Sequence, residues 1–303
     1  MSTTPSVDRS AEASTETCAK PEVRGFFDAR TWTWTYVVYD PATKDAVIID
    51  PVLDFDPANG RTWTESADLV VQFVEAQGLR VHLQLETHAH ADHLSGSQHL
   101  KAKLGAGVAI GADITAVQKV FAPVFNLGPD FALDGSQFDH LIHDGEELQL
   151  GSLRIQGIAT PGHTPACMSL LIGDALFSGD ALFLPDVGVG RCDFPAGSAQ
   201  TLYASVHGKL YNLPATTRVF VGHDYPPTGR VALAETTVAE SKAHNVHLRE
   251  SSTQDEFVAF RTGRDKGLAA PRLLLPSIQV NIDAGRLPKP EANGKSYLKI
   301  PLR

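Results

Sequence analysis

Apolar positions change period several times along the chain, and each change marks an element. Residues 31–39 alternate β-branched and aromatic side chains, the period-two pattern of a strand. A turn over 40–45 leads to a second apolar strand, 46–50, which ends on Asp50, and the pair predicts a hairpin. Residues 54–61 read as a polar loop. Leu69, Val70, Phe73 and Val74 then recur at helical spacing within 66–76, with Gly78 placed as a C-cap. A strand over 81–85, a helix over 94–104, a short strand at 108–110 and a short helix over 112–121 follow. Residues 125–138 are loop-like, with Gly128-Pro129 and Asp134-Gly135 as turn signals. Strands are predicted at 147–150, 153–158, 167–172 and 175–178, then a helix over 198–210 and a strand at 218–221. Helices over 233–248 and 254–262 precede a Pro-rich remainder that reads as irregular. Strand-rich then helical, twice over, this order predicts an α/β fold, a sandwich of two mixed β-sheets with helices outside.

Composition narrows the class. With 303 residues, 43% apolar and 20% charged, the chain has the make-up of a soluble globular protein with a large core. No apolar run approaches the roughly 18 residues of a membrane span, so no membrane partner is expected. The net charge of -9 argues against nucleic acid as a partner. Three widely spaced cysteines, Cys18, Cys167 and Cys192, do not make a disulfide framework. With no secretory signal pattern at the N-terminus, they imply a reducing compartment, and a cytoplasmic location is expected. Residues 1–22, rich in Ser, Thr, Ala and Glu, read as a disordered tail. Residues 23–232 read as the core, and 233–303 as a helical and irregular extension packed on it. Composition leaves the oligomeric state open, a homodimer included.

The chemistry concentrates in Thr87-His88-Ala89-His90-Ala91-Asp92-His93, directly after the strand at 81–85. Imidazole and carboxylate are the usual ligands of zinc and iron. One structural histidine is unremarkable; four donors in six residues are not. Three further segments follow apolar runs and end on donors: His163 after Pro161-Gly162, Asp180 after Ser178-Gly179, and His223 after Val221-Gly222. Donors at successive strand ends suit a site on the loops at one sheet edge.

The His-X-His-X-Asp-His order with His163, Asp180 and His223 resembles the metallo-β-lactamase superfamily, over roughly Phe27 to Tyr225. The resemblance implies an αββα sandwich. In dinuclear members His88, His90 and His163 would hold one metal, Asp92, His93 and His223 a second, with Asp180 bridging. Thr160-Pro-Gly-His-Thr164 and Gly222-His-Asp-Tyr225 are similar to the glutathione-handling branch, which comprises glyoxalase II thioesterases and persulfide dioxygenases. Gly188-Val-Gly-Arg-Cys-Asp-Phe194 resembles the dioxygenases' Gly-Arg-Thr-Asp-Phe stretch, with Cys192 in place of Thr. The loop over 184–190 and an insertion after Asp265 look like a bacterial subtype.

The dioxygenase resemblance implies one Fe(II) per chain on His88, His163 and Asp180. Glutathione persulfide and O2 would be the substrates, and sulfite and glutathione the products. His90, Asp92, His93 and His223 would then support the ligands rather than bind metal. Arg191, Tyr225 and Thr164 match positions that line the glutathione pocket. Arg261 is a further candidate for its wall, and Cys192 for a place beside the persulfide. The alternatives are a glyoxalase II-type hydrolase with two zinc or manganese ions, and a non-catalytic, metal-dependent sulfide sensor or scaffold.

Overall fold

The computed structural model describes residues 20–302. Most of the tail expected over 1–22 lies outside the described residues, and Glu22 already belongs to the first strand. One six-stranded sheet runs in the order β1 (Glu22–Asp28), β2 (Thr33–Tyr39), β3 (Asp45–Ile49), β6 (Arg80–Glu86), β8 (Gly107–Gly111) and β9 (His140–Ile142). The other runs β10 (Glu147–Leu150), β11 (Leu153–Ala159), β12 (Met168–Ile172), β13 (Ala175–Phe177), β14 (Arg218–Phe220) and β15 (Glu235–Thr237). A small third sheet joins β5 (Arg61–Trp63), β4 (Val52–Asp56) and β7 (Leu94–Ser95). Seven helices are described: α1 (Glu65–Gln77), α2 (Ser97–Leu104), α3 (Ile114–Val124), α4 (Ala199–Gly208), α5 (Val238–His244), α6 (Gln254–Asp265) and α7 (Leu274–Asn281).

Period-two alternation sorts the strand residues into layers. On β2, Tyr36 and Val38 face the second sheet, where they meet Leu170, Phe177 and Phe220. Their neighbours Val37 and Tyr39 face the opposite way, onto Val70 and Val74 of α1. The second sheet does the same: Leu176 and Val219 turn outward onto Leu202 and Val206 of α4 and Phe257 of α6. A one-residue slip of any such strand would exchange its two faces, so burial on both sides pins the register. Helix–sheet–sheet–helix layering results.

Strand direction then decides where the site can form. β3, β6, β8 and β9 are mutually parallel. In the second sheet β13 is parallel to β14, and β11 and β13 are both antiparallel to β12, so β11, β13 and β14 share one direction. The chain therefore leaves β11, β13 and β14 at one edge, and the loop after β6 meets them there. The buried Tyr36 hydroxyl crosses between the sheets and donates to the Val221 carbonyl at 2.6 Å. That bond ties β2 to the segment carrying His223.

Most elements fall where the apolar pattern predicts. The hairpin pairs Tyr36 with Ile49, and α1 ends on Gly78 in the left-handed conformation. Five expectations need correction. The helix predicted over 94–104 begins only at Ser97, because Leu94 and Ser95 pair with Val52 and Leu53. The helix over 233–248 is a strand, β15, followed by the shorter α5. The polar loop over 54–61 includes the ends of β4 and β5, whose paired residues are too few for period two to register. β1 and β9 were not predicted. Nor was α7, which lies inside the remainder read as irregular and buries Ile278 and Val280. Among the described residues no helix is long and apolar enough to cross a membrane.

Gly162 lies between β11 and His163, with φ near 145°, and a Cβ built there would fall 2.4 Å from the Leu202 backbone of α4. Gly162→Ala is therefore expected to push α4 away and cost about 3 kcal/mol. Urea denaturation would measure it; an unchanged midpoint would contradict this packing.

Candidate metal centre

Four strand ends deliver the donors. β6 ends at Glu86 and leads straight into Thr87 to His93. The turn after β11 carries His163, that after β13 carries Asp180, and that after β14 carries His223. All the predicted donor positions come together. Nδ1, Nε2 or carboxylate oxygens of His88, His163 and Asp180 lie within 4.8 Å of one another, and those of His90, Asp92 and His93 form a second such group. His223 joins the two: its Nε2 is 3.3 Å from Asp92 Oδ2 and 3.3 Å from Asp180 Oδ1.

The rings are aimed by bonds on their far sides. His163 Nδ1 donates to the Arg191 carbonyl at 2.6 Å. His93 Nδ1 donates to the Leu94 carbonyl at 3.1 Å, and His223 Nδ1 to the Trp32 carbonyl at 3.3 Å. The Thr87 hydroxyl donates to Asp50, which leaves its oxygen to accept from His88 Nδ1 at 3.1 Å. Each bond fixes the tautomer that leaves an Nε2 lone pair facing inward. The inward Nε2 atoms of His88, His93 and His223 and Asp180 Oδ1 are buried without a hydrogen-bond partner. Converging, buried, unpaired donors are costly in a protein interior unless a cation takes them up. The donor set therefore fits a metal ion.

His90 differs from its neighbours. Its Nε2 lies 3.0 Å from Asp50 and 3.5 Å from Glu86, so two carboxylates flank that nitrogen, and its Nδ1 is buried and unpaired. Against the cost of burial, Asp50 and then Glu86 hold the metal-free His90 well above the usual imidazole range. Burial, with the positive neighbours adding to it, pushes His88 and His93 down. Those two rings stay neutral at pH 7, the form that binds metal. Burial opposes the ionised form of Asp92, but His223 and His93 outweigh it and hold its carboxyl below its ordinary value. Asp50 itself sits at φ near 48°, an uncommon conformation for a side chain other than Gly.

Three positions belong to this assembly that the motif alone does not name. Asp50 ends β3 as the donors end their strands, and that signal was legible. Glu86 accepts from the Ser95 and Ser97 hydroxyls through Oε1, while Oε2 has no hydrogen-bond partner. Asn281, at the end of α7, donates to the carbonyls of His90 and His93 at 2.8 Å each and accepts from the Ser95 N–H at 2.8 Å. One buried amide thus clamps the backbone of the donor loop from nearly 190 residues away.

A pocket of about 520 Å³ opens above His163 and Asp180, with Trp32, Phe183, Tyr225 and Leu268 in its walls. Tyr225, expected from the resemblance to line a glutathione pocket, is one of the residues in these walls. Arg191 also faces the pocket, but its guanidinium is already committed: Nε and Nη2 grip Asp193 at 2.5 and 2.6 Å, and Nη1 donates to the Ala269 carbonyl. Thr164 does not line the pocket. It is fully buried, and its hydroxyl lies against the Cys167 thiol at 3.2 Å. Cys192 is buried behind the pocket wall, and burial pushes its thiol up to about 12, so exchange with a bound persulfide is not expected of it. Arg261 does reach the wall, with its guanidinium tied to Asp265 and to the Val189 carbonyl. A larger apolar groove of about 1230 Å³, between α3, α7 and the last described residues, includes none of the metal donors.

The chain matches the metallo-beta-lactamase superfamily over residues 33–223, and it belongs to that superfamily. It is 51% identical to a probable metallo-hydrolase of Burkholderia pseudomallei, over 92% of this chain and 98% of the relative. It is 48% identical to glyoxylase B2 of Dictyostelium discoideum, over 93% and 97%. The mitochondrial persulfide dioxygenase ETHE1 of Homo sapiens is 33% identical over 78% of each chain. Among solved structures, ETHE1 from Myxococcus xanthus superposes with a TM-score of 0.70 at 33% identity, covering 88% of this chain and all of that one.

Asn281→Ala would leave two carbonyls and one N–H of the donor loop unpaired, at a cost of about 1–3 kcal/mol. Metal affinity is expected to fall about tenfold, as when partners of metal ligands are lost elsewhere. Competition with a chelator would measure it, and an unchanged affinity would contradict the clamp.

Proposed function

We propose that this chain is a persulfide dioxygenase, converting glutathione persulfide and O2 to sulfite and glutathione at a single Fe(II) held by His88, His163 and Asp180. The observation that carries the reading is the first donor group: two imidazoles and one carboxylate, of which His163 and Asp180 line the pocket and His88 is buried beside them. That set, with coordination positions left open, is the preference of non-haem iron that handles O2. Relationship to the persulfide dioxygenase ETHE1 supports the same reading, as does the Gly190-Arg-Cys-Asp-Phe194 stretch. Its Arg191 carbonyl orients the His163 ring.

Bound iron would supply the redox chemistry that joins O2 to sulfur. The protein supplies position and proton traffic. The pocket walls seat the thiol compound with its terminal sulfur toward His163 and Asp180. A water molecule provides the third oxygen of sulfite and releases two protons. Asp92 and His223, 3.3 Å apart beside Asp180, are placed to receive them. Asp50 and Glu86 hold His90 from behind and keep the loop's donors in place.

A second reading has its own support. The His90, Asp92 and His93 group, with Asp180 beside it through His223, could take a second metal. A metal-bound hydroxide there would hydrolyse glutathione thioesters without O2. The hydrolase and glyoxylase names of two relatives point the same way.

Oxygen uptake decides between the two. Protein loaded anaerobically with Fe(II) is expected to consume O2 on addition of glutathione persulfide and to form sulfite in step. It should leave lactoylglutathione intact, and Asp180→Ala should abolish both iron retention and uptake. Thioester hydrolysis by zinc-loaded protein, with no oxygen consumed, would overturn the dioxygenase reading.

A further inference from the structure

Five arginines reach the pocket above the metal donors: Arg30, Arg191, Arg261, Arg264 and Arg272. Three are neutralised by carboxylates. Arg30 contacts Asp28, Asp54 and Glu65. Arg191 is paired with Asp193, and Arg261 with Asp265. The guanidiniums of Arg264 and Arg272 make no hydrogen bond or ion pair among the described residues. A guanidinium already gripped in a fork by a carboxylate has little left to offer a ligand, whereas a free one presents its full set of donors.

The two free cations come from one segment of chain. Arg264 stands in the last turn of α6, on the side of the pocket where His247 lies. Arg272 precedes α7 and also borders the neighbouring cavity beside His93 and Asp54, so it stands on the other flank. Between them runs the stretch that Arg191 holds through the Ala269 carbonyl. Arg191 is in this geometry a positioning residue, bracing the segment that carries the free charges.

We propose that Arg264 and Arg272 form the anion-recognition pair of this pocket, taking the two carboxylates of a dicarboxylate thiol ligand while its sulfur points to the metal donors. The inference rests on the glutathione reading above and sharpens it: glutathione carries one carboxylate at each end with the thiol between them. Two separated cations over one sulfur-accepting floor match that layout. They also select against thiols with a single carboxylate, which could engage only one side.

The test is binding rather than turnover. S-Methylglutathione is a thioether, with neither a persulfide to oxidise nor a thioester to hydrolyse. Its affinity for the metal-loaded protein, and that of its diethyl ester, can be read by calorimetry. The wild-type protein is expected to bind the free acid at least roughly tenfold more tightly than the diester, as charge-assisted bonds at both ends would give. Arg264→Gln and Arg272→Gln should each remove about half of that preference on a logarithmic scale, and the double variant should bind acid and diester alike. Arg264→Lys and Arg272→Lys should retain part of it. A double variant that keeps the wild-type preference would overturn the assignment of these two arginines and leave the glutathione reading standing. Failure of the wild-type protein to bind S-methylglutathione would overturn the glutathione reading, and the assignment with it.

Discussion

The structure depends on a cluster of buried donors that cannot be comfortable alone. His88, His93 and His223 hold Nε2 atoms, and Asp180 its Oδ1, buried and without a hydrogen-bond partner. Unpaired polar groups cost free energy in any interior, and a cation is what such a set is built to receive. The bonds on the outer nitrogens make this arrangement specific. The carbonyls of Trp32, Leu94 and Arg191 and the Thr87 hydroxyl each take one ring N–H. Each ring can then present only its other nitrogen to the centre. The two sheets, and the strand directions that bring four loops to one edge, hold those outer partners at fixed distances.

His90 is where the chemistry of the site divides. Its Nε2 faces Asp50 and Glu86, while its Nδ1 is left without a partner. If the ring serves as a support, His88, His163 and Asp180 would hold a single metal ion with positions left open. If Nδ1 becomes a ligand, the loop's remaining donors are recruited to a pair of metals. Superfamily membership and the donor set are common to both outcomes. The difference lies in how one imidazole is shared between two carboxylates and the centre, a balance of local charge that fold alone does not determine.

Much of this was legible in the sequence because the donors sit where periodicity ends. Strands with clear alternation, such as β2, could be placed, and each donor followed an apolar run. The parts that were not legible share a cause, which is dependence on distant partners. Leu94 and Ser95 continue a helix-like pattern yet pair with Val52 and Leu53. α7 carries no cap or clean amphipathic stripe, being buried on most of its surface, and its Asn281 meets the donor loop only in three dimensions. Thr164 follows the donor His163 in the chain and Cys192 follows the pocket residue Arg191, yet both are buried and neither lines the pocket. Adjacency in the chain says which loop a residue is on; it does not say which way its side chain faces.

The number of metal ions per chain tests the central claim most directly. Protein saturated anaerobically with Fe(II), freed of excess metal and assayed for iron against protein concentration, should hold one iron per chain. Its nitric oxide adduct should give the electron paramagnetic resonance signal of an isolated, high-spin iron centre. Two iron atoms per chain, with a magnetically coupled and silent adduct, would contradict the account and place His90, Asp92, His93 and His223 among the ligands.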